Sequence, residues 1–200
     1  MRTALWLPLV LACSRTEIKE FSDTFDRATL GPDWTDTGDR YRLGSGEVVV
    51  SQAYNHPLWL RPRLPRDAEI TFDVWSNSPD GDIKVELWGD GESAATDKGA
   101  YTATGYVAIF GGWKNRLTVL ARLGEHGTDR KARADMKVAP GRKYKWRIVR
   151  QGSRLSWWID GQPVFELDDA DPLEGRGHEH FGLNDWEVEL HFDNLRIRAL

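Results

Sequence analysis

The chain has one cysteine, Cys13, among 200 residues. A single thiol excludes an internal disulfide framework and a cysteine-built zinc site. No apolar run approaches the about 20 consecutive residues that a membrane-spanning helix needs. Charge of one sign is not in excess either: 27 Lys and Arg are interspersed with 31 Asp and Glu, for a net charge of −4. A basic stripe that would track nucleic acid is absent. Short stretches such as Arg61-Pro62-Arg63 and Arg130-Lys131-Ala132-Arg133 read as solvated loops. Also missing are a Gly-rich phosphate loop and a Ser-centred nucleophile elbow. No window carries the 3.6-residue period of a long amphipathic helix. Nucleic acid is therefore not an expected partner, and no motif implies a cofactor.

Tryptophan is abundant instead, with ten in the chain. Indole combines a large contact area with a polar handle, which suits cores and sugar-binding faces alike. Any single tryptophan reads first as core. Two hundred residues fit one domain that can bury a core without metals or disulfides.

At the start, Arg2 precedes a short apolar run, residues 3–12, ending in Val10-Leu11-Ala12-Cys13. The pattern resembles a bacterial lipobox, in which cleavage leaves an acylated cysteine; the alternative is an apolar first strand with an incidental thiol. The resemblance divides the chain into a signal peptide (1–12), a lipidated Cys13 with a polar tether (13–20), and a domain (21–200). Ser14 rather than Asp after the cysteine implies sorting to the outer membrane, with only the lipid touching the bilayer.

From Phe21 onward the period is two. Ile70, Phe72 and Val74 alternate with Glu69, Thr71, Asp73 and Trp75. Ile83, Val85 and Leu87 alternate with Lys84, Glu86 and Trp88, after a turn-rich stretch at 76–81. Further strands are expected over 106–111, 117–123, 144–150, 155–159, 164–167 and 187–199. Asp160-Gly161 marks a hairpin, since both residues tolerate positive φ. Many short strands at this spacing predict an all-β antiparallel sandwich or jelly roll.

The run from Trp146 to Asp160-Gly161, the segment Phe181-Gly182-Leu183-Asn184-Asp185 and the closing Phe192-Asp193-Asn194-Leu195-Arg196-Ile197 resemble the concanavalin A-like superfamily. They are most similar to its laminin-G-like and 3-keto-disaccharide hydrolase-like domains. The opening residues 21–25 and Gly31-Pro32-Asp33-Trp34 fit that group's first strand, which pairs with the last. The resemblance implies a jelly roll over 21–200 with ligand bound on a concave sheet. It does not by itself choose among lectin, hydrolase, lyase and adhesive module.

If Trp75 and Trp88 flank Asp73 and Glu86 on neighbouring strands, they form a sugar platform, with indoles stacking on pyranoses and carboxylates accepting hydroxyl hydrogen bonds. The same carboxylates could serve as an acid–base pair. The Glu-x-Asp-x-Glu triad of family-16-like glucanases is absent, because Thr71 and Lys84 stand where its central acid would be. Loop residues add Trp113 and Asn115, Asn55 and His56, His126, and His178 and His180 with Asn184, Asp185 and Trp186, side chains suited to hydroxyl recognition. His178-x-His180 with Asp185 is too sparse to imply a metal, and Asp80-Gly81-Asp82 reads as turn chemistry. The leading expectation is an envelope-anchored domain that binds carbohydrate. The alternatives are a glycoside hydrolase-like enzyme using Glu86 with Asp73 or His126, and a protein–protein interaction module.

Overall fold

Alternating apolar residues cover one side of each strand, and two such surfaces close on each other. The computed structural model describes residues 17–98 and 101–200 as two stacked antiparallel sheets. Strands are numbered in chain order. The eight-stranded sheet holds β1 (Glu20–Asp23), β3 (Arg42–Gly44), β4 (Glu47–Val50), β6 (Ala68–Ser76), β11 (Tyr144–Gln151), β12 (Arg154–Ile159), β13 (Gln162–Asp168) and β15 (Leu190–Ala199). The seven-stranded sheet holds β2 (Trp34–Asp36), β5 (Leu58–Leu60), β7 (Ile83–Gly89), β8 (Tyr106–Gly111), β9 (Leu117–Arg122), β10 (Lys131–Arg133) and β14 (His180–Asn184). Their orders are β13-β12-β11-β6-β15-β4-β3 and β10-β9-β8-β7-β14-β5-β2, with β1 completing the first sheet beside β15. The fold is a jelly-roll sandwich.

Local chemistry explains the joints. Ile159 pairs with Gln162 across Asp160-Gly161, whose φ values of 52° and 76° match the two-residue turn that the dipeptide predicts. β1 pairs with β15, Phe21 opposite Ile197, as the end segments suggest. Trp146 and Trp157 sit 4.5 Å apart in the core beside Phe72. Such tilted aromatic contacts add to the area they bury.

One expectation is overturned. β6 and β7 read as neighbours across a turn, but residues 77–82 arch from one sheet to the other. Ile70, Phe72 and Val74 meet Ile83, Val85 and Leu87 in one core. That inward packing sends their polar partners to opposite outer surfaces. Trp75 and Asp73 therefore cannot share a platform with Glu86. Trp75 instead stacks on His191 at 4.9 Å, and Asp73 accepts a hydrogen bond from Asn194 at 2.9 Å.

Candidate functional site

Lys84 and Glu86 project from β7 on the outer face of the seven-stranded sheet, where strand alternation would leave them in water. They are nonetheless 2% and 0% exposed. Side chains from three separate loops cover them. The Lys84 ammonium donates to Asn55 Oδ1 at 2.6 Å and forms a close ion pair with Glu125. Tyr101 Oη donates to both Glu86 oxygens at 2.8 Å, and Asn184 Nδ2 donates to Glu86 Oε1 at 2.6 Å. Asn184 also reaches Asn55 Oδ1 at 3.5 Å, so lysine, amides, carboxylate and phenol form one connected network.

Burial sets the protonation of this floor. It pushes Glu86 up to about 7, against hydrogen bonds from Tyr101 and Asn184 and the charge of Lys84. It pushes Asp82 up to about 6, again opposed by Lys84. Asp185 rises to about 7 by burial, against hydrogen bonds from the Ala53 and Val188 backbone amides, the first of them to Oδ2 at 3.0 Å. The Tyr101 phenol is held well above its ordinary value by burial and by the Glu86 charge. A cluster of displaced titrations in a concave site marks a candidate functional centre.

Above the floor opens a cleft of about 500 Å³ lined by Tyr101, Trp113, Trp186, Lys84, Glu125 and His126, among others. Trp113 is presented by an unusual backbone. The turn Gly112–Asn115 is left-handed at Trp113 (φ 52°, ψ 52°), Lys114 (φ 60°, ψ 53°) and Asn115 (φ 57°). Consecutive left-handed residues with side chains are strained, and such strain gathers at functional sites. The Asn115 side chain holds the turn, donating to Val138 O at 2.8 Å and Pro79 O at 3.1 Å and accepting from Val138 N at 2.9 Å. The His126 ring meets Trp113 edge-on at 5.5 Å, and Arg130 lies over the indole at 4.9 Å. On the other side Trp186 packs edge-on against Tyr54 at 5.3 Å. A layer of Val107, Ile109, Val119 and Ala121 supports Tyr101 and Trp113 from below.

Of the residues expected at the site, Trp113 and His126 line the cleft, Glu86 and Asn184 lie beneath it, and buried Asp185 adjoins that floor. Asn115 supports the turn rather than facing the cleft. Trp88 belongs to the core, where it is 1% exposed and its Nε1 donates to Pro65 O. It is the extra residue of a bulge, φ 52°, opposite the His180–Phe181 step, so the alternation reverses there and the ring turns inward. His178 and His180 stand at the opposite end of β14 from Asp185. At strand rise that is about 16 Å, too far to share a ligand. His180 Nδ1 sits 2.9 Å from Leu60 O. Reasoning from sequence missed Lys84, Tyr101 and Glu125. The one available signal was Lys84 facing outward beside Glu86 on β7, whose remaining residues are apolar or glycine.

A family model described as the 3-keto-alpha-glucoside-1,2-lyase-like domain matches residues 20–198. No curated protein sequence matches the chain. Among solved structures, a Bacillus subtilis protein of unknown function with a galectin-like fold superposes with a TM-score of 0.68 at 13% identity, covering 92% of this chain and 97% of its own. The carbohydrate binding module CBM66 from Bacillus subtilis gives 0.63 at 17% identity, covering 84% and 96%. A Bacillus licheniformis beta-glucanase gives 0.63 at 11% identity, covering 92% and 100%. At these identities the structural likeness establishes the shared sandwich.

Proposed function

The chain belongs to the 3-keto-alpha-glucoside-1,2-lyase-like family, and on that premise we propose that the cleft over β7 binds a 3-oxidised glycoside and eliminates its aglycone. A ketone at C3 acidifies the C2 hydrogen. Removing that proton pushes the electron pair into a C1–C2 double bond and breaks the C1–O bond, while negative charge develops on the C3 oxygen. Such a reaction calls for a fixed cation near the developing oxyanion, a proton acceptor, and walls that hold a pyranose ring. Lys84, the Glu86–Tyr101 and Glu125 groups, and Trp113 with Trp186 supply those three requirements at one place.

The observation that carries the reading is the 2% exposure of Lys84 at the cleft floor. An ammonium ion is costly to bury even when paired, and hydrophobic packing would stabilise the fold as well. Its retention at the base of an aromatic-walled cleft fits a charge kept for chemistry.

Carbohydrate retention without turnover is the second reading, supported by the tryptophan walls and by the binding-module neighbour. One incubation separates the two. The protein is mixed with a p-nitrophenyl 3-keto-α-glucoside, and the products are followed by mass spectrometry. Release of p-nitrophenol with an unsaturated ketosugar is the expected outcome. Retention of intact sugar would make the domain a binding module, and absence of both would remove the saccharide reading.

The proposal also places the domain at the cell envelope through acylated Cys13, which lies outside the described residues. Metabolic labelling with palmitate should mark the wild type and fail on Cys13→Ser. Equal labelling of both would remove the anchor.

A further inference from the structure

Glu86 has no exposed surface, so it cannot touch a sugar. Tyr101 lines the cleft, and its hydroxyl lies 2.8 Å from each Glu86 oxygen. Its O–H is therefore aimed inward at the carboxylate, which leaves the lone pairs of Oη for the cleft side. Asn184 occupies Glu86 Oε1 at 2.6 Å, so Oε2 is the oxygen free to receive a proton. Glu125 is committed to Lys84. From this geometry we infer that Tyr101 is the base that takes the C2 proton, and that it passes its own proton to Glu86. The assignment rests on the lyase reading above and deepens it.

The step balances. The C2–H bond breaks and its proton goes to Tyr101 Oη, while the proton already on Oη moves to Glu86 Oε2. The C2 electron pair becomes the C1–C2 double bond, and the C1–O bond breaks. An alcohol aglycone leaves as an oxyanion that takes a proton from water at the cleft mouth. A p-nitrophenolate aglycone leaves unprotonated. Glu86 later returns its proton to water through Tyr101.

Concerted transfer suits the electrostatics. Burial and the Glu86 charge oppose a free Tyr101 phenolate, and the relay never forms one. The groups that face Glu86 are Lys84 on its own strand, Tyr101 and Glu125 from the loops, and Tyr41 across the floor. With Glu86 titrating at about 7, the proton sink is empty above neutral pH and filled below it. kcat/KM should therefore rise with pH through that value.

The test uses the full chain and a p-nitrophenyl 3-keto-α-glucoside, protonated or deuterated at C2. Tyr101→Phe should lower kcat by about 100-fold or more with KM within about twofold of wild type, the range for a lost general base. Glu86→Gln should remove the rise in kcat/KM near neutral pH; a merely structural role would lower the profile without reshaping it. Wild-type isotope effects guard against variants that do not fold. With two protons in flight, a solvent deuterium effect persists when C2 carries deuterium; a single carboxylate base would show none. A Tyr101→Phe variant that keeps more than about a tenth of kcat, beside an inactive Glu125→Gln, would overturn the relay and leave the lyase reading standing. A wild type that turns over no 3-keto-glucoside would overturn both.

Discussion

The Lys84 ammonium sits 2.6 Å from Asn55 Oδ1 with Glu125 on its other side, joining a strand and two loops through one buried charge. Replacing it with methionine keeps length and removes the desolvation penalty, while Glu125 is exposed enough to turn towards water. Lys84→Met should leave the melting temperature unchanged or raised, and lower turnover by about 10²–10³-fold, as for a lost oxyanion partner. The lost positive charge should also shift the titration of Glu86 and Asp82 further upward, since Lys84 lowers both. A variant that melts much earlier, or that keeps full turnover, would return Lys84 to a purely structural role.

Two tryptophans separate binding from folding. Trp113 lies on the cleft wall, whereas Trp88 fills the core behind β7. Trp113→Ala should abolish sugar retention on native mass spectrometry with little change in thermal stability. Trp88→Ala should cost about 3–5 kcal/mol in denaturant unfolding, the usual range for emptying a large aromatic site. Similar unfolding energies for the two variants would contradict this division.

The contrast also shows how far the sequence could be read. The β11–β12–β13 meander, β6 and β7 announce themselves through alternation and through Asp160-Gly161, and β8 through a continuous apolar run. β5 and β14 do not, because each is short and buried along its length, so no period of two marks it. Trp113 and Glu86 could be nominated from residue type. Asn55, Asn184 and His126 could be nominated too. Tyr101 and Glu125 could not, because they lie apart from β7 in the chain and meet its side chains only when their loops close over that strand. Trp88 misled for a local reason: one bulge residue inverts a pattern that holds on either side of it.

Asp185 should make stability fall as pH rises through neutrality. Burial raises its folded-state titration to about 7, above the ordinary carboxylate value, so the fold favours the protonated form. That contribution is complete below the unfolded pKa and disappears as pH climbs through the folded one. Glu86 acts in the same direction. Melting temperatures taken from about pH 5 to about pH 8 should decline in the wild type and decline less in Asp185→Asn, which cannot ionise. An unchanged slope in the variant would assign the effect elsewhere.

Asn115 should be worth more than a surface amide because it supports a strained turn. Its side chain makes three hydrogen bonds, two with Val138 and one with Pro79, and its backbone is left-handed at φ 57°. Alanine loses all three bonds and also tolerates that backbone poorly. Glycine loses the same bonds but adopts positive φ freely. With about 1 kcal/mol for each net hydrogen bond and about 1–2 kcal/mol for the backbone term, Asn115→Ala should be the less stable of the two by that backbone difference. Both should loosen Trp113 and weaken sugar retention, because the indole is carried on the same turn. Equal stability for the alanine and glycine variants would mean that the turn rearranges and that the left-handed run is not held under strain. A stable glycine variant with full retention would mean that the loop presents Trp113 without its Asn115 anchor.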